Sequence, residues 1–342
     1  MRKLIVSLLT TVAALPLVCS AQSAPTHPGQ DAFVERVIAE HGVDEARVRE
    51  VLAGAVYQQA IIDAITRPAE SKPWHAYRPI FVREPRISDG VRFWAEHRDL
   101  LARVERETGI PAEIVLAIVG VETNYGRNTG SWRVVDALVT LGFYYPRRGT
   151  FFAGELGHLF RLADEEGLPL EELRGSYAGA MGLGQFIPSS YRAYAVDFDE
   201  DGSRDLWRSL PDALGSVANY LAVHGWRDGE PAVLPVESVP ADLDADFDTT
   251  PRHTLDELRE MGIAFDAAGL PGDTKATLVE LETEDGPEYW LGLNNFHVIT
   301  RYNRSPLYAM AVLQLAGEIG EAAPEALATA GPGAPPAEDT GS

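Results

Sequence analysis

Cysteine is almost missing from this 342-residue chain, and the single one, Cys19, lies near the N-terminus. A mature protein cut beyond it has no thiol for disulfides or for cysteine catalysis. Positive charge is scarce as well. The 29 Lys and Arg face 51 Asp and Glu, a net charge of −22, which argues against nucleic-acid binding by phosphate neutralisation. The eight histidines are scattered, without HExxH or another ligand spacing, so a catalytic zinc is not expected. There is no G-x-S-x-G elbow, no GxxxxGK[ST] phosphate cradle and no internal repeat. The 45% hydrophobic content is that of an ordinary soluble globular protein with ample length for a core.

What is present begins with a leader. Arg2 and Lys3 precede an apolar run from Leu4 to Val18, then Cys19, Ser20 and Ala21. That is the anatomy of a secretory signal over residues 1–21, too short to remain as a membrane span. Export as a soluble periplasmic protein is expected. Acylation of Cys19 is the alternative, to which Pro16-Leu17-Val18 is a poor approach. Residues 22–30 form a polar leader.

The periodicity then reads mainly α with a small β-containing insert, an α+β chain. Apolar residues recur at helical spacing from Asp31 to about Ile65, with Asp44 as a candidate N-cap. Pro68, Pro73, Pro79 and Pro85 suggest an extended crossing through Trp74, Tyr77 and Phe81. A helix from about Asp89 to Glu107, ending at Gly109, completes an N-terminal helical region of 31–110. Further helices are expected from about Thr150 to Glu166, stopped by Gly167 and Pro169, and from about Asp212 to His224. They belong to a core of 111–228. Residues 229–293 lose the helical period and carry strand candidates near Ala232–Val236, Ala276–Leu281 and Tyr289–Leu293. Residues 294–305 read as a strand and polar loop, and Pro306 begins a last helix that returns to the core over 294–320. The Ala/Pro/Gly-rich tail, 321–342, is expected to be disordered.

The chain is organised around 111–132, PAEIVLAIVGVETNYGRNTGSW. Pro111 suits a helix start. Ile114, Val115, Leu116, Ile118, Val119 and Val121 leave no polar face, so the helix should be buried all round. Glu122 ends that run. Burial disfavours a charged carboxylate, which suits a general acid working near neutral pH. Asn124, Tyr125, Gly126 and Asn128 follow as a turn-prone stretch. On the local pattern alone a structural Glu122 paired with Arg127 or Arg133 is at least as good a reading. Asp136 and Glu155 are the next carboxylates to consider.

Two more segments carry chemistry. Residues 175–191, GSYAGAMGLGQFIPSSY, are glycine-rich. Either the backbone is brought close to a flat, uncharged ligand, with Ser176 and Gln185 offering hydrogen bonds, or the glycines only permit tight packing. Asp197, Asp199 and Asp201 with Gly202 then match the first half of an EF-hand calcium loop within 197–212. Arg208 stands where the closing Glu belongs, and Asp212 could close a longer loop. This spacing favours calcium over a solvated acidic turn. One convincing acid, aromatics and amides suit a polysaccharide, and an N-acetylated one, because a 2-acetamido group can replace the second carboxylate of a glycosidase.

Five motifs carry a family resemblance: IVGVETNYGRNTG (118–130), YYPRR (144–148), GSYAGAMGLGQFIPSSYRAYAVDFDEDG (175–202), DALGSVANYLAVHGW (212–226) and TRYNRSPLYAMAV (300–312). From about Phe33 to Gly317 the sequence resembles the lytic murein transglycosylase B family of bacterial cell-wall enzymes, glycoside hydrolase family 103. The resemblance implies a lysozyme-like α core with an additional helical domain and a small β domain. It implies Glu122 as sole acid/base, with no cofactor in catalysis. Ser176, Gln185, Tyr302, Asn303 and Tyr308 would meet substrate or support its acetamido group. Tyr77, Arg147 and Arg148 would lie further along the groove, the arginines facing carboxylates of the peptide stem. A structural Ca²⁺ would bind Asp197, Asp199, Asp201, Ser203 and Asp212. The expected partner is peptidoglycan, acted on by a soluble monomer, with other cell-wall enzymes as possible associates. The rival readings are a hydrolytic muramidase using the same acid and a non-catalytic wall-binding protein.

Overall fold

The computed structural model describes residues 29–67, 72–243 and 247–329. The signal segment, Cys19 and Pro68 fall outside them. Six helices come first: α1 (Gln30–His41), α2 (Glu45–Ala53), α3 (Gln59–Ile65), α4 (Trp74–Phe81), α5 (Glu84–Glu96) and α6 (Arg98–Thr108). Asp44 does cap α2, its side chain accepting from Arg47 N at 2.8 Å. Gly42 and Gly109 end α1 and α6 at φ 66° and 71°, a left-handed stop that glycine makes without steric cost.

The proline-rich stretch is helical rather than extended. Pro73 is the N-cap of α4 and Pro85 lies in the first turn of α5, places where a helix needs no N–H. Pro79 sits inside α4, which is only 8 residues long. Trp74 and Tyr77, one turn apart, are 3% and 1% exposed; their burial outweighs the one helix bond that Pro79 cannot make. The helix expected over 89–107 is two, α5 and α6, broken at His97 (φ −121°, ψ 26°).

The core follows as α7 (Ala112–Thr123), β1 (Trp132–Arg133), α8 (Val134–Tyr144), α9 (Gly149–Glu166), β2 (Arg174–Gly175), α10 (Pro188–Tyr194) and α11 (Leu210–Val223). Helix α8 was illegible because all eight residues from Val134 to Leu141 are buried, which erases the amphipathic period. Strands β1 and β2 pair antiparallel, Trp132 opposite Gly175.

The insert holds β3 (Val233–Ser238), β4 (His253–Thr254), α12 (Leu255–Glu260), β5 (Ala264–Phe265), β6 (Lys275–Thr283) and β7 (Gly286–Gly292). Its sheet runs β4-β6-β7-β3-β5, antiparallel throughout, with Leu278 opposite Leu291. Leu234, Leu255, Leu258, Ile263 and Leu291 make a small core of its own. Val279 and Leu281 of β6 instead join the main core, which ties the insert to the helical body.

Residues 294–302 form a helix, α13 (Asn294–Tyr302), not a strand. Val298, Ile299 and Thr300 favour a strand locally, but Asn295, Phe296 and Ile299 bury one helical face, and packing overrides so weak a preference. Helix α14 (Pro306–Thr329) runs past Gly320, where a disordered tail was expected to begin. Ile319 and Ala323 are buried on its inner side. It lies along α5 and α7. Among the described residues no helix is long and apolar enough to cross a membrane.

Candidate active site

Helix α7 is buried as its sequence demands: Val115, Leu116, Ala117, Ile118 and Val119 are fully inside. Glu122 stands in its last turn, half-buried. The Tyr308 hydroxyl, brought in by α14, donates to Glu122 Oε1 at 2.7 Å. Tyr302, at the end of α13, donates its hydroxyl to Gly184 O at 2.6 Å. Burial, and after it the charge of Glu122, holds both phenols well above the usual tyrosine range, so each remains a neutral donor. The two arginines that might have made Glu122 structural are engaged elsewhere. Arg127 pairs with Asp89, and Arg133 pairs with Asp136 at 3.1 Å.

The glycine-rich loop wraps this centre. A Cβ on Gly184 would come within 2.9 Å of the Tyr302 hydroxyl, one on Gly182 within 2.5 Å of Leu206 O, and one on Gly179 within 2.5 Å of Leu138. At all three positions the space is filled by the protein itself, so tight packing accounts for these glycines. Gln185 adopts φ 52° and uses its amide nitrogen on Thr129 O (3.1 Å) and Gly182 O (2.9 Å). Only its carbonyl oxygen is then available to a ligand, as an acceptor. Ser176 Oγ accepts from Ala180 N at 3.1 Å, and its hydroxyl proton can turn outward. Thr123 joins loop to helix: its Oγ1 lies 3.0 Å from Leu183 O and accepts from Gly126 N at 3.1 Å. The sequence reading missed Thr123 because a lone threonine after an acid carries no pattern.

The remaining candidates are placed as follows. Asn303 shapes the α13–α14 connection, its Oδ1 accepting from Ser305 N at 3.1 Å. Tyr77 is deep in the core between Trp74 and Phe81, ring centroids 6.3 and 5.1 Å away. At 1% exposure its side chain is packed inside the protein. Arg147 and Arg148 are exposed on the α8–α9 connection, outside the hydrogen-bonded group around Glu122; Arg148 lies over Phe151 at 4.4 Å. Asp136 accepts from Val56 N at 2.9 Å, and Glu155 accepts from Ser189 N (2.9 Å) and Oγ (2.8 Å). Both carboxylates staple segments together.

In the 197–212 loop, Asp197, Asp199 and Asp212 bring one carboxylate oxygen each within 4.8 Å of one another. Asp212, fully buried, accepts from Phe198 N at 2.7 Å and Asp205 N at 2.8 Å. Gly202 takes φ 94° at the sixth position. Asp201 accepts from the N–H and Oγ–H of Ser203 at 2.8 and 2.9 Å through one carboxylate oxygen. The converging oxygens of Asp197, Asp199 and Asp212 are hard donors of the kind that could hold a calcium ion.

The mainly helical body with its small attached sheet matches the lysozyme-like fold of solved lytic transglycosylases. Residues 26–317 match the family described as Transglycosylase SLT domain, and the chain belongs to it. The membrane-bound lytic murein transglycosylase B of Escherichia coli K12 is 40% identical over 300 residues, 84% of this chain and 82% of that protein. The catenated lytic transglycosylase SltB1 of Pseudomonas aeruginosa superposes with a TM-score of 0.81 at 49% identity, covering 87% of this chain and 99% of that one. The E. coli lytic transglycosylase Slt35 in complex with calcium gives 0.78 at 35% identity, covering 91% and 99%. The protein is a lytic transglycosylase.

Proposed function

We propose that Glu122 is the single acid/base with which this enzyme, acting on peptidoglycan, cleaves the β-1,4 bond between N-acetylmuramic acid and N-acetylglucosamine without water. The observation that carries this reading is the 2.7 Å bond from Tyr308 to Glu122 at the end of an otherwise apolar helix. Asp136 and Glu155, the other buried carboxylates of this region, are engaged in staples and leave Glu122 to act alone. Protonated Glu122 donates to the leaving glycosidic oxygen while the muramoyl 2-acetamido oxygen closes on C1 as an oxazolinium-like species. The carboxylate left behind, held by the Tyr308 hydroxyl, then takes the proton of the muramoyl C6 hydroxyl as that oxygen attacks C1. The acetamido group is released and a 1,6-anhydro end forms. An intramolecular hydroxyl has a large effective-concentration advantage over solvent.

Gln185 Oε1 and the Ser176 hydroxyl are the groups best suited to an acetamido N–H and a sugar oxygen, with the amide of Asn303, which lies between Tyr302 and Tyr308 in the chain, as a further candidate. Arg147 and Arg148 suit carboxylates of the peptide stem. Asp197, Asp199 and Asp212 would hold a structural Ca²⁺, with Asp201 and Ser203 next along the loop, and the calcium-bound relative supports this. The cation is assigned no part in the reaction. The leader sequence supports a periplasmic enzyme.

Glu122→Gln tests the acid: Gln keeps the acceptor for Tyr308 but cannot give up a proton and take one back. Turnover should vanish with the fold intact, and appreciable wall lysis would sink the assignment. Digestion of sacculi in oxygen-18 water separates the reaction from a muramidase, since label at the muramoyl C1 means hydrolysis.

A further inference from the structure

Immediately after Glu122 the chain reverses in an unusual way. Asn124, Tyr125 and Gly126 have φ of 52°, 58° and 84°, three left-handed residues in succession. Glycine adopts this freely and asparagine tolerates it, but a tyrosine there costs about 1–2 kcal/mol. Something must hold it.

What holds it is a slot between two helices. A Cβ on Gly90 of α5 would come within 2.5 Å of the Tyr125 hydroxyl, and one on Gly120 of α7 within 2.7 Å. The ring therefore fits only because both helices carry glycine where they cross it. Its hydroxyl donates to Arg86 O at 3.0 Å, and Arg86 Nη1 donates in return to Gly120 O at 2.6 Å. Turn, α5 and α7 are thus closed into one ring of bonds. Phe93 flanks the tyrosine at 5.7 Å. Arg86 is buried, with its Nε–H unpartnered among the described residues, an expensive arrangement. The turn is tied back to the helix by Asn124 N donating to Gly120 O (3.1 Å) and Tyr125 N donating to Val119 O (3.3 Å), a left-handed helix stop.

We propose that Tyr125 is a positioning residue for Glu122: its latch into the Gly90–Gly120 slot fixes the last turn of α7, and with it the direction in which the acid points. This rests on the reading of Glu122 as the acid. One carboxyl must reach first the glycosidic oxygen and then the C6 hydroxyl, and the second step lives on its advantage over water. A loosened turn weakens that advantage before it weakens binding.

Tyr125→Phe keeps the ring in its slot and removes only the bond to Arg86 O. Gly90→Ala leaves Tyr125 intact but crowds its hydroxyl, and Ile319 of α14 beside it, so it serves only as a second variant. With purified glycan strands, well below Tm, Tyr125→Phe should lower kcat about tenfold, since small misplacements of a reacting group cost up to ~10²-fold. KM should stay within about twofold, the mark of an interaction needed in the transition state rather than in binding. In oxygen-18 water the variant should release a labelled fraction that the parent does not. Gly90→Ala should move in the same direction. A folded Tyr125→Phe with the parent's kcat and unlabelled product overturns the proposal, however far its Tm falls; should Gly90→Ala not fold, this variant decides alone. The two readings fail separately. A dead Glu122→Gln beside an unaltered Tyr125→Phe sinks only the latch, whereas an active Glu122→Gln sinks the acid itself and the latch with it.

Discussion

Replacing Tyr308 by Phe should separate activity from stability more cleanly than any other single change. The hydroxyl removed lies 2.7 Å from Glu122 Oε1 on a ring that is 2% exposed. A hydrogen bond to a charged group contributes roughly 1.5–3 kcal/mol. It is strongest when Glu122 is a carboxylate, the state created as the leaving oxygen is protonated, so its loss falls on the transition state of cleavage. At 1.36 kcal/mol per decade that is about 10- to 100-fold in kcat. The fold loses far less. Phe fills the same space, and half-buried Glu122 can take a water in place of the hydroxyl, a net cost of about 1 kcal/mol. For a chain of this length that is about 2 °C in Tm. Soluble-muropeptide release from sacculi and a thermal melt of the same preparation give the two readings. A folded Tyr308→Phe with kcat within about twofold of the parent would refute the idea that this bond supports the acid's carboxylate.

Calcium should stabilise the native chain: at a hundredfold excess over Kd, binding adds about 2.7 kcal/mol, roughly 4 °C in Tm. Identical melts in chelator and in millimolar Ca²⁺ would remove the site, and Asp197→Asn should abolish the shift without changing the product. Glu155 gives a pH signature. Burial raises its carboxyl above the usual range, against the two bonds from Ser189. A group with a raised folded pKa contributes stability that is full below the unfolded carboxyl range and is lost as pH rises through the folded value. Gln does not titrate, so Glu155→Gln should gain on the parent in urea melts as pH rises from about 4 to 7, with turnover retained. A stability difference flat across that range would contradict the burial argument.

The sequence by itself determined the helix that carries the acid and the residues that mark the centre. An apolar run from Ile114 to Val121 can only be buried, and a lone Glu122 at its end stands out without any structure. The D-x-D-x-DG spacing, the caps at Asp44, Gly109 and Gly167, and the three long strands of the insert were legible for the same reason: each is a pattern of neighbours a few residues apart. Tertiary structure decided what depends on distant partners. Trp74 and Tyr77 turned a proline-rich stretch into a helix because the core had room for both rings, and Asn295 and Ile299 turned an apparent strand into α13. Gly179, Gly182 and Gly184 were ambiguous until Leu138, Leu206 and Tyr302 were seen filling their missing side chains. Tyr308 and Glu122 are 186 residues apart in the chain and 2.7 Å apart in space, and Tyr125 finds its place only where α5 and α7 cross. Local patterning fixes which groups exist; only long-range packing, which sums many weak contacts between elements far apart in sequence, brings them within bonding distance.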